Sequence, residues 1–325
     1  MTIRHLVIPG GGPTGFQAIG ALQHLEKSGF WNINDIKTIY ATSVGAIISL
    51  LLALKFEWDA INDYVILRPW QEVYNVNISQ IFESYAKKGI FDGSSMEIFY
   101  KPFFEARDLP LTMTMKEFYE YSGIELHFFS LELNSFEVCD INYKTFPDIP
   151  VLQSVHMSCA IPMVITPVCF DGKCFVDGGT VNNYPIKYCI ANEKNVDEIF
   201  GIRNVYEKKE NNIVKNESTM LDYIVHFVSR LVNFASAQCS SDAVIPYELK
   251  YGAHFMSLDS MKESLRSSEV RKGLIDKGIK AAEEFLSGLK TYKEGVKEET
   301  DEGLKEEPIK EPIEEPIEDA ENAHL

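Results

Sequence analysis

Ser43 has the neighbours expected of a nucleophile. It stands between a β-branched and aromatic run (Ile36, Thr38, Ile39, Tyr40) that reads as a buried strand and an apolar run over 46–54 that reads as a buried helix. Ala41 two residues before and Gly45 two residues after are small, as a sharp strand-to-helix turn requires where the two backbones pass close. Such a turn pushes the hydroxyl outward and leaves the Val44 N–H free near the helix start, where an oxyanion can be held. This is the G-x-S-x-G elbow with alanine in the first glycine position. A serine that merely caps the helix fits the same residues.

Two other stretches carry comparable chemistry. A short apolar segment over 3–9 reads as a first strand and runs directly into Gly10-Gly11-Gly12-Pro13-Thr14-Gly15, followed by the helical pattern Phe16, Ile19, Leu22, Leu25. Strand, glycine turn and helix together aim N–H groups into open space with a helix dipole behind them, so negative charge settles there. A G-x-G-x-x-G of this kind is also the dinucleotide fingerprint, and Asp35 lies near the distance of a ribose-binding acid. Asp35, however, opens the following strand rather than closing it, and reads as a solvated loop residue. Three consecutive glycines one strand ahead of a serine elbow suggest instead amides facing the serine across the carboxyl edge of the sheet. The third stretch is Asp177-Gly178-Gly179: an aspartate at a strand's end, held by glycines in a tight turn, projects from the same edge as the elbow. An Asx-turn without chemistry is the plain alternative.

The elements that must position these groups follow from the pattern. Residues 55–123 hold Trp58, Tyr64, Trp70, Tyr74, Phe82, Tyr85, Phe91, Phe99, Phe103, Phe104 and Tyr119 among polar residues, and read as several helices over the sheet. Most of these aromatics are expected in the core, and a minority at the mouth of an acyl pocket. Strands are expected over 124–133 and 137–141, with His127 as a structural histidine rather than a base. A helix over 151–160 is ended by Pro162, and a hairpin turning at Asp171-Gly172 delivers Asp177. A strand over 197–202 and a charged, Asn-rich loop over 206–218 follow. Met220, Leu221, Ile224, Val225, Phe227, Val228, Leu231, Val232 and Phe234 form a wide apolar helical face, expected to pack on the core, with a bilayer surface as the alternative. A last amphipathic helix covers 269–289.

The chain is 325 residues long with 45% hydrophobic and 24% charged residues, values of a soluble globular protein. Its net charge of −17 argues against a nucleic-acid partner. Thirteen acids and four lysines lie in 293–325, so −9 of that charge is local, and Glu-Pro-Ile recurs there at Glu307, Glu311 and Glu315. Acid plus proline cannot build a core, so the segment is expected to be a disordered tail, available as a docking arm for a protein partner. Six cysteines without a C-x-x-C pair, and an N-terminus without an apolar leader, are read as reduced thiols in a cytoplasmic protein. No apolar run reaches membrane-span length, so contact with lipid is expected to be peripheral. No metal-ligand spacing appears, and no cofactor is expected.

Taken in order, these stretches resemble the patatin-like phospholipase family over about residues 3–203. Gly10-Gly11-Gly12-Pro13-Thr14-Gly15 is similar to the family's oxyanion loop, Ala41-Thr42-Ser43-Val44-Gly45 to its nucleophile elbow, and Asp177-Gly178-Gly179, with Asn183 and Pro185 after it, to its Asp-Gly-Gly/Ala signature. Ser158-Cys159-Ala160-Ile161-Pro162 and Asp171-Gly172-Lys173 resemble the segment that precedes the aspartate. Two departures stand out: Ala41 replaces the first elbow glycine, and Thr14 stands where the family usually places Arg or Lys.

The resemblance implies a three-layer α/β/α sandwich with a mainly parallel central sheet. It implies a catalytic core over 1–203, beyond which the residue pattern is read as a helical C-terminal part over 204–292 packed on the core and the acidic tail over 293–325. It implies acyl-ester hydrolysis of phospholipid or glycerolipid through a Ser43–Asp177 dyad with no intervening histidine. Gly10, Gly11, Gly12 and Val44 would hold the oxyanion, and Ala41, Gly45, Gly15, Gly178 and Gly179 would support the turns. An acyl-Ser43 intermediate would pass to water, or to an alcohol or lysolipid in a transacylation. The alternative from another class is a non-catalytic lipid-binding or adaptor protein retaining the fold; a dinucleotide enzyme rests on the first glycine run alone.

Overall fold

A computed structural model describes residues 2–74, 78–206, 214–239, 244–254 and 257–302. The N-terminal third runs β1 (His5–Ile8), α1 (Gly15–Lys27), β2 (Thr38–Thr42), α2 (Val44–Ala53), α3 (Trp58–Leu67), α4 (Trp70–Val73), α5 (Ile78–Lys87), β3 (Gly89–Phe91) and α6 (Ser94–Glu105). The middle of the chain adds α7 (Met115–Ser122), β4 (Glu125–Glu132), β5 (Glu137–Ile141), α8 (Val151–Cys159), β6 (Met163–Ile165), β7 (Val168–Phe170), β8 (Lys173–Asp177) and α9 (Ile186–Glu193). Then come β9 (Ile199–Tyr206), α10 (Met220–Cys239), β10 (Tyr247–Ala253), α11 (Leu258–Arg266) and α12 (Ser268–Glu302).

The central sheet has the order β10-β9-β1-β2-β4-β8-β7, with β5 also on β4. The pairs from β10 through β4 are parallel; β8, β7 and β5 join antiparallel. β1, β2 and most of β4 read as continuous hydrophobic runs because both faces of a parallel sheet are covered. On one face α9 closes a cluster of Val7, Tyr40, Phe129, Tyr184, Ile186 and Cys189. α1 and α2 are the crossover helices of the parallel pairs β1–β2 and β2–β4, which the usual right-handed connection places on the other face. The expected layered α/β architecture with a mainly parallel sheet is therefore what the chain forms.

Two features of this sheet position the site. First, β4 shares one edge between two strands: β2 occupies 125–129 and β8 occupies 130–132, while β5 fills the opposite edge over 128–132. Because β2 runs parallel and β8 antiparallel to β4, their C-terminal ends meet head to head, Thr42 opposite Phe129 and Asp177 opposite Ser130. Second, β1 has β2 on one side and β9 on the other. The connections leave β1 and enter β9 over opposite faces, which opens a crevice at the carboxyl edge where ligands bind in such sheets. α1 is pinned beside this crevice by a glycine crossing: a methyl on Gly20 would strike the Ile275 carbonyl, and one on Gly278 would strike the Gln17 carbonyl.

Several expectations are corrected. Residues 204–292 are not only helical, because β10 extends the main sheet alongside β9 over seven paired positions. The apolar face of α10 is not all core: Met220, Tyr223, Phe227, Leu231 and Phe234 are exposed. α12 runs on to Glu302, into the segment expected as tail. Residues 303–325, with the Glu-Pro-Ile repeat, and 207–213 of the expected charged loop lie outside the described residues. Cys169 and Cys174, opposite one another in the β7–β8 hairpin, form a disulfide rather than two thiols. Cys139, Cys159 and Cys189 are free. The hairpin turns where expected, with positive φ at both Asp171 and Gly172.

Candidate active site

The turn after β2 is built as its small residues require. Ser43 has φ 55° and ψ −125°, a conformation costing about 1–3 kcal/mol for a non-glycine residue. The strain is sustained from outside. Ser158 on α8 accepts the Ser43 N–H at 3.0 Å and donates its own hydroxyl to the Phe129 carbonyl at 2.6 Å. Thr42 donates to the Asn182 carbonyl at 3.0 Å. Gly45 lets α2 start against the end of β1, since a methyl there would lie 2.5 Å from the Ile8 carbonyl and 2.8 Å from that of Pro9. Ala41, by contrast, is fully buried with its methyl accommodated in the core.

The Ser43 hydroxyl donates to Asp177 Oδ2 at 2.6 Å. The other carboxylate oxygen accepts the Gly179 N–H at 2.7 Å, so the glycine turn fixes the carboxylate plane. Gly178 permits that turn, because a methyl would run into the Phe129 carbonyl. At the other side of the residue, the Asp177 N–H donates to the Ala160 carbonyl at 2.9 Å, tying β8 to the end of α8. Both side chains are buried, Ser43 6% and Asp177 5% exposed. Burial pushes the Asp177 carboxyl up to about 6, against the downward pull of the Ser43 hydroxyl and the Gly179 N–H. The neighbouring Cys159 thiol is raised by burial and by the Asp177 charge.

Glycine residues 10–12 divide into two roles. Gly10 is removed from the expected oxyanion donors: its N–H is donated to the Asn183 carbonyl at 3.0 Å, and its own carbonyl accepts from Asn183 and Asn204 at 3.2 and 2.6 Å. It anchors the loop. The N–H groups of Gly11, Gly12 and Val44 have no acceptor among the described residues, and Gly11 and Gly12 line the cleft that holds Ser43. Thr14 supplies no charge there. It is buried, with its hydroxyl folded back on the Gly11 carbonyl at 3.1 Å, and so closes the turn from within. Gly15 lies against the Val44 side chain, where a methyl would collide at 2.5 Å.

The cleft, about 530 Å³ with its open mouth, is walled by Ile161, Pro162, Thr180, Asn183, Tyr206 and Val228 besides the residues above. Beyond Gly12 and Val44 a larger groove of about 1040 Å³ continues, predominantly apolar and lined by Ile47, Trp70, Tyr74, Phe99 and Leu265 among others. Part of its wall comes from α11, whose end is fixed by Arg271: the guanidinium donates to the carbonyls of Ile66, Ser264, Leu265 and Arg68. Among the described residues no histidine lines the cleft. His127 is held elsewhere, between Asp140 at 2.9 Å and Glu125 at 3.3 Å and stacked on Tyr40. Burial pulls its charge down, but the two carboxylates outweigh this and lift it to about 9, a structural imidazolium. Asp35 is exposed in a short turn and takes no part. No group of three or more His, Cys, Asp or Glu side chains among the described residues is arranged to hold a metal ion.

Sequence patterns missed Asn204 and Tyr206, which meet the Gly10 loop only through the β1–β9 pairing. They also missed the work of Ser158, which lay within a recognised segment but carried no signal of its partner.

A family model described as patatin-like phospholipase matches residues 6–190. Among curated proteins, the chain is 25% identical over 215 residues to a probable lipid hydrolase 463L of Invertebrate iridescent virus 6, covering 64% of this chain and 72% of that one. It is 27% identical over 192 residues to uncharacterized protein R571 of Acanthamoeba polyphaga mimivirus, covering 57% of this chain and 60% of the relative. Among solved structures, VipD from Legionella pneumophila superposes with a TM-score of 0.46 at 14% identity, over 85% of this chain and 67% of VipD. The type III effector ExoU superposes with a TM-score of 0.40 at 11% identity, over 86% of this chain and 54% of ExoU. The chain thus spans less than two thirds of both the mimivirus relative and ExoU.

Proposed function

The chain belongs to the patatin-like phospholipase family, and on that premise we propose that it is a lipid acyl hydrolase of phospholipase A type, with Ser43 as nucleophile and Asp177 as its base. The observation that carries this reading is the 2.6 Å hydrogen bond from the Ser43 hydroxyl to a buried carboxylate, in a cleft beside backbone N–H groups that have no acceptor among the described residues. The viral relative named as a probable lipid hydrolase supports the same class of reaction.

In this mechanism Asp177, ionised above pH 6, takes the Ser43 proton as the oxygen attacks an ester carbonyl. A carboxylate of ordinary basicity is a poor base for a serine; the raised affinity for the proton narrows that gap. The N–H groups of Gly11, Gly12 and Val44 receive the developing oxyanion, each donor contributing on the order of 10²–10³ in rate. The proton then passes from Asp177 to the leaving alcohol oxygen, and the acyl-Ser43 ester is cleaved by water activated by the same carboxylate. Lysolipid in place of water gives a transacylase by the same steps. The apolar groove beyond Val44 suits the acyl chain, because it begins at the proposed oxyanion donors and offers aromatic and aliphatic walls.

The test is fatty-acid release from phosphatidylcholine and from p-nitrophenyl esters by the wild type, Ser43→Ala and Asp177→Asn. Loss of roughly 10² or more in turnover in both variants is expected. Equal turnover in all three removes the dyad.

A further inference from the structure

The outer face of α10 has no part in the reaction described above, yet it is an exposed apolar surface on a helix that walls the cleft. Met220, Tyr223, Phe227, Leu231 and Phe234 are 73%, 50%, 52%, 51% and 68% exposed. At 100° per residue the five positions fall within an arc of about 80° on the helix. Ser229, on the opposite side, is buried and lines the cleft with Ser43, as does Val228 beside it. One helix therefore presents an apolar stripe outward and walls the catalytic cleft inward. Over its twenty residues, Met220–Cys239, Asp222 and Arg230 are the charged side chains, apart from His226. No described helix is long and apolar enough to cross a membrane, so a stripe of this kind lies in a surface rather than spanning it.

From this we propose that α10 docks the protein on the surface of a zwitterionic phospholipid bilayer by apolar insertion, with the Val228 rim of the cleft at the lipid surface; the proposal rests on the lipid hydrolase reading. Three observations favour this occupant. Val228, which lines the cleft, lies about 60° around the helix from Leu231 at the edge of the stripe, so a surface seated on the stripe runs along the rim of the cleft that holds Ser43. A net charge of −17 repels anionic membranes, which leaves burial of apolar side chains as the driving force. The helix itself carries no basic cluster that would recognise anionic head groups.

The experiment is flotation of the full chain with phosphatidylcholine vesicles, repeated with phosphatidylserine added and at raised salt. The wild type is expected to float with phosphatidylcholine alone, with no gain from phosphatidylserine and no loss in salt. The double variant Phe227→Ser/Leu231→Ser is expected to lower partitioning by roughly tenfold or more, since each half-buried large apolar side chain contributes about 1 kcal/mol on insertion. Its turnover of a water-soluble p-nitrophenyl ester is expected to equal the wild type's. A separate Phe227→Trp variant reports insertion directly, by a blue shift of its emission on adding vesicles. The proposal is overturned by a wild type that stays in solution, by equal flotation of the double variant, by binding that requires phosphatidylserine and is lost in salt, or by a stripe that holds two copies together in light scattering while vesicle binding is unaffected. Absence of ester turnover in a wild type that floats contradicts the hydrolase reading and not the docking.

Discussion

Replacing Asp177 with asparagine is expected to make the protein more stable at neutral pH while disabling it. The carboxyl is buried and its proton affinity is raised from an ordinary value of 3.8 to about 6. At about 1.4 kcal/mol per tenfold in proton affinity, holding this group ionised inside the fold costs on the order of 3 kcal/mol. The sign follows from linkage. Between pH 4 and 6 the folded state holds a proton that the unfolded state has released, so wild-type stability falls as pH rises through this window and stays reduced above it. Asparagine preserves both local hydrogen bonds, its oxygen accepting from Gly179 and its amide donating to the Ser43 oxygen, while removing the charge. Urea titrations of wild type and Asp177→Asn at a series of pH values are expected to coincide below about pH 4 and to separate through pH 6, the variant being the more stable by up to about 3 kcal/mol at pH 7.5. Parallel curves, or a variant that is the weaker at neutral pH, would refute the view that a buried charge is held here at the expense of stability.

Other outcomes follow from the same geometry. The kcat/KM for a soluble ester is expected to rise with pH through about 6 and then level, since Asp177 acts only when ionised; a pH profile without an inflection near 6 contradicts this. Ser158→Ala leaves the Ser43 N–H and the Phe129 carbonyl without their shared partner, and is expected to lower stability by about 1–3 kcal/mol in denaturant titrations and to lower kcat more than KM. Two substitutions at the elbow separate strain from packing. Gly45→Ala, which forces a methyl onto the Ile8 and Pro9 carbonyls, is expected to cost about 1–3 kcal/mol and most of the activity. Ala41→Gly, which only removes a buried methyl and loosens a strand, is expected to cost about 1–2 kcal/mol without raising turnover.

Much of the site was legible in the sequence because its signals are local. The switch from a β-branched run to an apolar helix at Ser43, the small Ala41 and Gly45 on either side of it and the Asp-Gly-Gly turn each encode a backbone shape within a few residues. What brings Ser43 and Asp177 together is not local: it is the sharing of one edge of β4 by β2 and β8. The pairing of Ser43 with Asp177 was implied by the family resemblance, whereas the strand arrangement that produces it was not foreseen. Gly10 shows the limit of the local reading. Its glycine neighbours promise free amides, but its N–H is taken by a carbonyl 173 positions away. β10 escaped notice because Tyr247, Glu248, Leu249, Lys250 and Tyr251 read as a polar segment until the exposed edge of the sheet explains the alternation. The face of α10 showed only that it was apolar; which side chains meet the cleft and which meet solvent is decided by where the helix lies.

The central claim is that Ser43 is a nucleophile activated by Asp177, and covalent trapping tests it most directly. After treatment with a fluorophosphonate ester, peptide mass spectrometry of the wild type is expected to show one adduct, on Ser43, with labelling slowed by roughly 10²–10⁴ in Asp177→Asn, the range of a lost general base. An unlabelled Ser43 would contradict the account and favour a lipid-binding protein on the same fold, and a Ser43 labelled equally fast with and without the carboxylate would contradict the role given to Asp177.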